Sequence, residues 1–336
     1  MKLFTPGRLI GAGAVLACVV VVLWVLPSSE YIFLPDVAHP VAPLVTVQGG
    51  HTPKTGSVYF VDVIVRKATI LERLFGGLHK GSQLYPASEI NPPGTDSAQQ
   101  ESIDLEDMKL SQQIAAAVAL RAMGRKVDVT PIGARIEQVE PGLPAVGKLE
   151  PDDVITAVDG TRVTGYAQVS ALTGKGKIGS LVTFTILRDG KPLVEKMHTV
   201  AGTNPRRPVV GIFLDSQPAA DIHLPINVSI DAGNIGGPSA GLAFALEVME
   251  KLGRNVVHGH KIAATGEISL DGSVSAIGGI KQKVIGAREA GVDAFLVPAG
   301  DNAIEARKDA GGLRIIAVHN FQQALRALAT LPPATH

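Results

Sequence analysis

The alternation of apolar and polar positions divides the chain into an uncharged leader, two strand-rich stretches and a region of alternating strands and helices. Residues 9–26 carry no charge, at the short end of the length a membrane helix needs. Lys2 and Arg8 precede this run, so the positive-inside rule predicts a cytoplasmic end at 1–8, a membrane helix at 9–26 and all later residues outside. Pro27-Ser28-Ser29-Glu30 offers no small-x-small cleavage site, which favours an uncleaved anchor over a signal peptide. Beyond it, apolar runs at 44–47 and 58–65 predict two strands, separated by Gly49-Gly50 and by turn chemistry at Lys54, Thr55 and Gly56. Residues 70–75 read as a short helix and 79–100 as a long exposed loop. Residues 101–123 read as a helix with Leu110, Ile114, Ala117 and Val118 on one face.

A second unit spans 125–203. Residues 133–139 alternate as a strand does, and Asp159-Gly160 and Asp189-Gly190 are hairpin turns. Strands are expected at 209–214, 226–230, 294–297 and 313–318, with a last helix at 321–328 capped by Asn320.

The chemistry concentrates in residues 231–291. Ser239 follows Gly236-Gly237-Pro238 and precedes the helical stripe Leu242, Ala245, Leu246 and Met249. Proline suits the first helical position, so Ser239 falls in a helix's first turn, where free N–H groups and the dipole favour a developing anion. A serine there more often only caps its helix. Gly278-Gly279 then opens a helix whose apolar stripe is Ile280, Val284 and Ala287. Lys283 lies on that stripe, whereas Lys281 and Gln282 lie to the side. Burial and the positive helix end both disfavour an ammonium, and a neutral buried amine can act as the base that activates a serine hydroxyl. The bland alternative is a snorkelling lysine with its charge in water.

Composition narrows the classes. The 336 residues hold 31 basic and 31 acidic side chains, so no net field attracts nucleic acid, and 4% aromatic content argues against base-stacking surfaces. Cys18 is the single cysteine, which excludes an intramolecular disulfide and a cysteine-based metal site, and its apolar surroundings argue against a thiol nucleophile. Three competing motifs are weaker. Residues 142–149 approach a phosphate-binding loop, but Pro144 interrupts it and Leu149 stands where a magnesium-reaching hydroxyl is needed. Gly237-Pro238-Ser239-Ala240-Gly241 fits a hydrolase elbow, for which Asp293 and His319 follow in the right order, yet 233–236 separates it from any strand. His258 and His260 lack a nearby third ligand and read as solvated.

Gly-Gly-Pro-Ser-Ala-Gly at 236–241, Thr-Gly-Glu-Ile at 265–268 and Ile-Gly-Gly-Ile-Lys-Gln-Lys at 277–283 resemble the proteolytic domain of Lon-family proteases. The resemblance implies a Ser–Lys dyad at Ser239 and Lys283, with Thr265 orienting the lysine. Many Lon enzymes carry an acidic residue where Gly236 stands, and the glycine form is similar to a membrane-anchored, PDZ-containing branch. The order of segments in 125–203 is itself similar to a PDZ domain of bacterial protease type. Its carboxylate-binding loop is expected in the region 124–132, without the usual Gly-Leu-Gly-Phe.

The expected fold class is α+β. A Lon-type proteolytic domain, formed from 27–124 and 204–336, would carry the PDZ-like unit as an insertion and follow one transmembrane helix. The expected activity is that of an extracytoplasmic, ATP-independent serine endopeptidase without a metal or other cofactor, acting on unfolded or membrane proteins. Its partners would be unfolded or C-terminal peptide segments and the membrane, through 9–26, with no nucleic acid or nucleotide. The family also implies a possible hexameric ring. The alternative is a membrane-tethered PDZ adaptor without catalysis.

Overall fold

The computed structural model describes residues 6–51, 55–91, 97–202 and 207–332. Lys2, Lys54 and the Pro-Pro-Gly at 92–94 therefore lie outside the described residues, as does the expected domain boundary between 203 and 204. A helix at Pro6–Val25 covers most of the apolar leader. Its part with described side chains, 10–25, is exposed almost throughout and rises about 24 Å, against about 30 Å of bilayer hydrocarbon. Among the described residues no helix is long and apolar enough to cross a membrane.

After the leader comes a strand with no obvious apolar pattern, Pro27–Pro35, which forms the centre of an antiparallel sheet between Val63–Thr69 and Gln83–Pro86. Part of the region expected as loop, 79–100, is thus sheet: Gln83–Pro86 pairs with a strand some fifty residues earlier, which local pattern does not reveal. The expected strand at 58–65 is two strands, Ser57–Phe60 and Val63–Thr69, parted at Val61-Asp62 as the chain leaves one sheet for another.

The sheet that positions the site has the order His39–Pro40, Ser57–Phe60, Lys261–Ala264, Ala294–Pro298, Arg314–Val318. All its pairings are parallel except the first, so this part is a layered α/β arrangement, and the fold as a whole mixes α and β. Parallel strands are covered on both faces and read as continuous apolar runs, as in Ala294-Phe295-Leu296-Val297. Ile262, Ala264 and Leu296 join one core with the serine helix Gly241–Lys251, while Ala263, Phe295 and Val297 join another with the lysine helix Ile280–Glu289. Ten residues of the serine helix, 241–250, are buried. Fully burying side chains such as Phe244 or Leu246 stabilises by roughly 1.5–3 kcal/mol each. Glu250 in that helix is satisfied by the Val256 and Val257 amides at 2.6 and 2.9 Å.

The long helix Ser97–Ala122 packs against the serine helix through Met108, Ala115, Val118 and Ala119. From its end the chain enters a separate antiparallel sheet of order Lys191–His198, Leu181–Arg188, Val154–Val158, Asp128–Val139, Ile212–His223. This sheet closes its own core around Ile136, Ile155, Phe184 and Ile186. It runs past residue 203, because Ile212–His223 pairs with Asp128–Val139 along nearly its whole length. Pro218 and register shifts around 214–218 hide that strand from sequence pattern. Residues 128–132 of the expected carboxylate-binding region are held in this ribbon. Residues 142–149 form turns with Ala145 and Leu149 buried in the core, which removes the phosphate-loop reading.

Candidate active site

Two helices on opposite faces of the parallel sheet meet where the strand Lys261–Ala264 ends. Gly237 adopts φ +83°, outside ordinary L-residue space, and turns the chain into a short 3-10 turn, Pro238–Ala240, that runs into the serine helix. Gly279, in the left-handed region at φ +66°, performs the same service for the lysine helix. That helix lies very close to the N-terminal segment: a Cβ at Gly286 would overlap the Asp36 carbonyl, and the Gly286 carbonyl accepts from the Ala38 amide.

Lys283 Nζ lies 2.6 Å from Ser239 Oγ and 3.4 Å from Thr265 Oγ1. Thr265, itself fully buried, donates its hydroxyl to the Ser239 carbonyl at 3.1 Å, and the Gly266 amide reaches the same carbonyl at 2.8 Å. The three residues named from sequence are thus brought together, and Lys283 is only 4% exposed. Burial pushes its amine down from 10.5 to about 8, while the Asp62 carboxylate pulls in the opposite direction. Asp62, in turn, is raised by burial and by Asp36. It sits in the break between two strands and has no periodic signature, so sequence reasoning missed it. Ser239 begins a helix whose dipole favours a negative oxygen, and the neighbouring amine, once neutral, can accept the hydroxyl proton.

The other candidates lie elsewhere. Asp293 accepts from the Lys261 amide at 2.8 Å and stands 3.4 Å from His260, while His319 lines a separate pocket with Asp271, Ser273 and Asn320. The hydrolase triad is therefore not assembled. His260, expected to be solvated, is buried because the chain's end covers it: its Nε2 contacts the Pro332 carbonyl at 2.7 Å. Among the described residues one trio has metal-ligand spacing, Asp36, His39 and Asp62, with ligand atoms within 4.8 Å of one another. Their mutual pairing accounts for that spacing.

Beside the serine turn lies a cleft of about 610 Å³, walled by Leu110, Ile132, Arg135, Leu214, Pro238 and Glu267. It opens between the long helix, the strand ribbon and the residues after Thr265. Burial, reinforced by Asp215 and Asp107, raises the Glu267 carboxyl.

Comparison with known proteins finds two kinds of domain, with bounds that differ from those of the sheets. Residues 203–329 match the Lon protease (S16) C-terminal proteolytic domain, and residues 105–196 match the PDZ domain. Lon protease of Buchnera aphidicola subsp. Schizaphis graminum is 34% identical over 187 residues, which is 53% of this chain and 22% of that protein. Lon protease 2 of Thermus thermophilus is 36% identical over 162 residues, 46% of this chain and 19% of that protein. The chain thus spans about a fifth of the length of these relatives. The PDZ domain of an SdrC-like protein from Listeria monocytogenes is 24% identical, covering 26% of this chain and 92% of that domain, with a TM-score of 0.25. The matched domain and these relatives are those of Lon-type proteases. The chain thus carries a Lon-type (S16) proteolytic domain and, in addition, a PDZ domain.

Proposed function

We propose that the protein is a membrane-anchored endopeptidase that works without ATP and uses Ser239 as nucleophile and Lys283 as base. The 2.6 Å approach of a buried, depressed-pKa amine to a helix-start hydroxyl carries this reading. In the first step Lys283 takes the hydroxyl proton as Ser239 Oγ attacks the peptide carbonyl. Amides opening the helix at Ser239 and Ala240 receive the oxyanion, and the lysinium returns its proton to the leaving amine. Water, deprotonated by the same amine, then releases the acyl group. Thr265 holds the amine and the backbone of Ser239 in register.

Anchoring is proposed from the uncharged run 9–26 and the basic residues that precede it, with the N-terminus cytoplasmic and the two domains outside. The PDZ unit would receive unfolded or C-terminal segments by strand addition at a sheet edge. Assembly into a ring is the family's habit and is proposed on that ground alone.

The test is cleavage of an unfolded protein by the full chain in detergent micelles without nucleotide. Parent and Lys281→Ala should cut, while Ser239→Ala and Lys283→Ala should lose about a thousandfold or more. Activity that survives Lys283→Ala removes the dyad. No cleavage by the parent removes the ATP-independent reading.

A further inference from the structure

The long helix touches the serine turn and the PDZ sheet with one and the same face. Asp104, Asp107 and Ser111 stand three and four residues apart and so share a stripe. The Asp104 carbonyl accepts from the Gly237 amide at 2.7 Å, and the Ser111 hydroxyl donates to the Pro238 carbonyl at 2.9 Å. Contact is close enough that a Cβ at Gly236 would come 2.7 Å from Asp104 Cβ, and one at Gly241 2.7 Å from Ser111 Oγ. The helix therefore cradles both ends of the turn that presents Ser239.

Between these two contacts the Asp107 carboxylate pairs with Arg135, which belongs to the strand Asp128–Val139. The same guanidinium holds Asp152 at 3.0 Å and Asp215 at 2.9 Å. Asp152 is kept at φ +68°, a conformation non-glycine residues seldom adopt, and Asp215 lies beside a register shift of the ribbon. One largely buried cation thus joins two carboxylates of the PDZ unit to one of the protease helix. The dyad mechanism uses neither Arg135 nor Asp107.

We propose that Arg135 and Asp107 form a positioning link: the PDZ unit holds the long helix through them, and the helix holds the Ser239 turn through Asp104 and Ser111. Displacement of the ribbon, by a peptide bound to the PDZ unit or by loss of the link, loosens the nucleophile's turn. The effect on catalysis rests on the dyad reading, whereas the mechanical link does not. A removed partner in a partly buried ion cluster leaves its carboxylates facing one another, so the disturbance is local and large.

The experiment is hydrogen exchange by mass spectrometry on the full chain in detergent micelles, for the parent, Asp107→Asn, Arg135→Gln and Ser111→Ala. Asp107→Asn leaves Arg135 with Asp152 and Asp215, so it reads the link even where Arg135→Gln disturbs the PDZ sheet. Exchange of the segment 232–242 should rise about tenfold in Asp107→Asn and Ser111→Ala while that of 294–298 stays unchanged. The double variant Arg135→Gln with Asp107→Asn should add little to either alone. On a short neutral peptide, kcat should fall roughly tenfold in Asp107→Asn with KM unchanged. Unchanged exchange at 232–242 overturns the link. Faster exchange with unchanged kcat overturns its role in positioning Ser239. Faster exchange in a chain whose parent cleaves nothing upholds the link and removes the peptidase reading instead.

Discussion

Under the proposed dyad, the pH dependence of cleavage follows from a single buried amine. Lys283 is lowered from 10.5 to about 8, chiefly by burial, so its ammonium form costs about 3 kcal/mol more in the folded chain than in water. Only the neutral amine can take the Ser239 proton. With a pKa of about 8, roughly one amine in eleven is neutral at pH 7 and roughly ten in eleven at pH 9. The expected kcat/KM on a neutral fluorogenic peptide therefore rises about tenfold from pH 7 to 9, with a slope approaching one below pH 7. Asp62 supplies the sharper arm. Its carboxylate stabilises the ammonium, so Asp62→Asn should lower the Lys283 pKa further, move the rising limb to lower pH and speed cleavage at pH 7. Stability obeys the same proton. Between about 8 and 10.5 the unfolded chain binds the proton and the folded chain does not, so stability climbs with pH across that window, and below it the burial cost is paid in full. Lys283→Met should accordingly abolish cleavage yet raise Tm at pH 7. A flat rate profile between pH 5 and 9, or an Asp62→Asn limb displaced to higher pH, would refute the reasoning.

Two further outcomes rest on neighbouring groups. Thr265→Val should lower kcat about tenfold or more with KM little changed, because it removes the hydroxyl that touches both Lys283 and the Ser239 carbonyl, and Thr265→Ser should restore most of the rate. Glu247, 1% exposed and with Oε1 unpartnered, is pushed up by burial to about 7, so its folded pKa exceeds the unfolded one. Stability contributed by its protonated form is present below about pH 4.5 and lost as pH rises through 7, so Glu247→Gln should raise Tm at pH 8 by an amount that vanishes near pH 4.

Helical periodicity separated Lys283 from Lys281 because two positions rotate a side chain across a helix, from the sheet-facing stripe to the flank. Glycine and proline around Ser239 likewise marked the turn, since both act locally on φ. The strand Pro27–Pro35 escaped notice because its partners lie at Val63–Thr69 and Gln83–Pro86, and pairing at that distance leaves no local signature. Pro218 concealed most of Ile212–His223 for a related reason: the bulge that tolerates proline also breaks the alternation a strand is recognised by. Asp62, the group that tunes the lysine, occupies an irregular break. His260 is buried by residues at the far end of the chain. Neither position carries a periodic pattern to read.

The two strands that lead into and out of the PDZ sheet are paired to each other from Asp128 with His223 up to Val139 with Ile212. Entry and exit of the chain are therefore neighbours, a few ångströms apart at the foot of the ribbon. Such a stalk lets whatever sits on its tip be lengthened, exchanged or lost over generations while the catalytic body beneath keeps its register. Natural variety among enzymes built this way should accordingly gather above the stalk, as a rootstock accepts one graft after another.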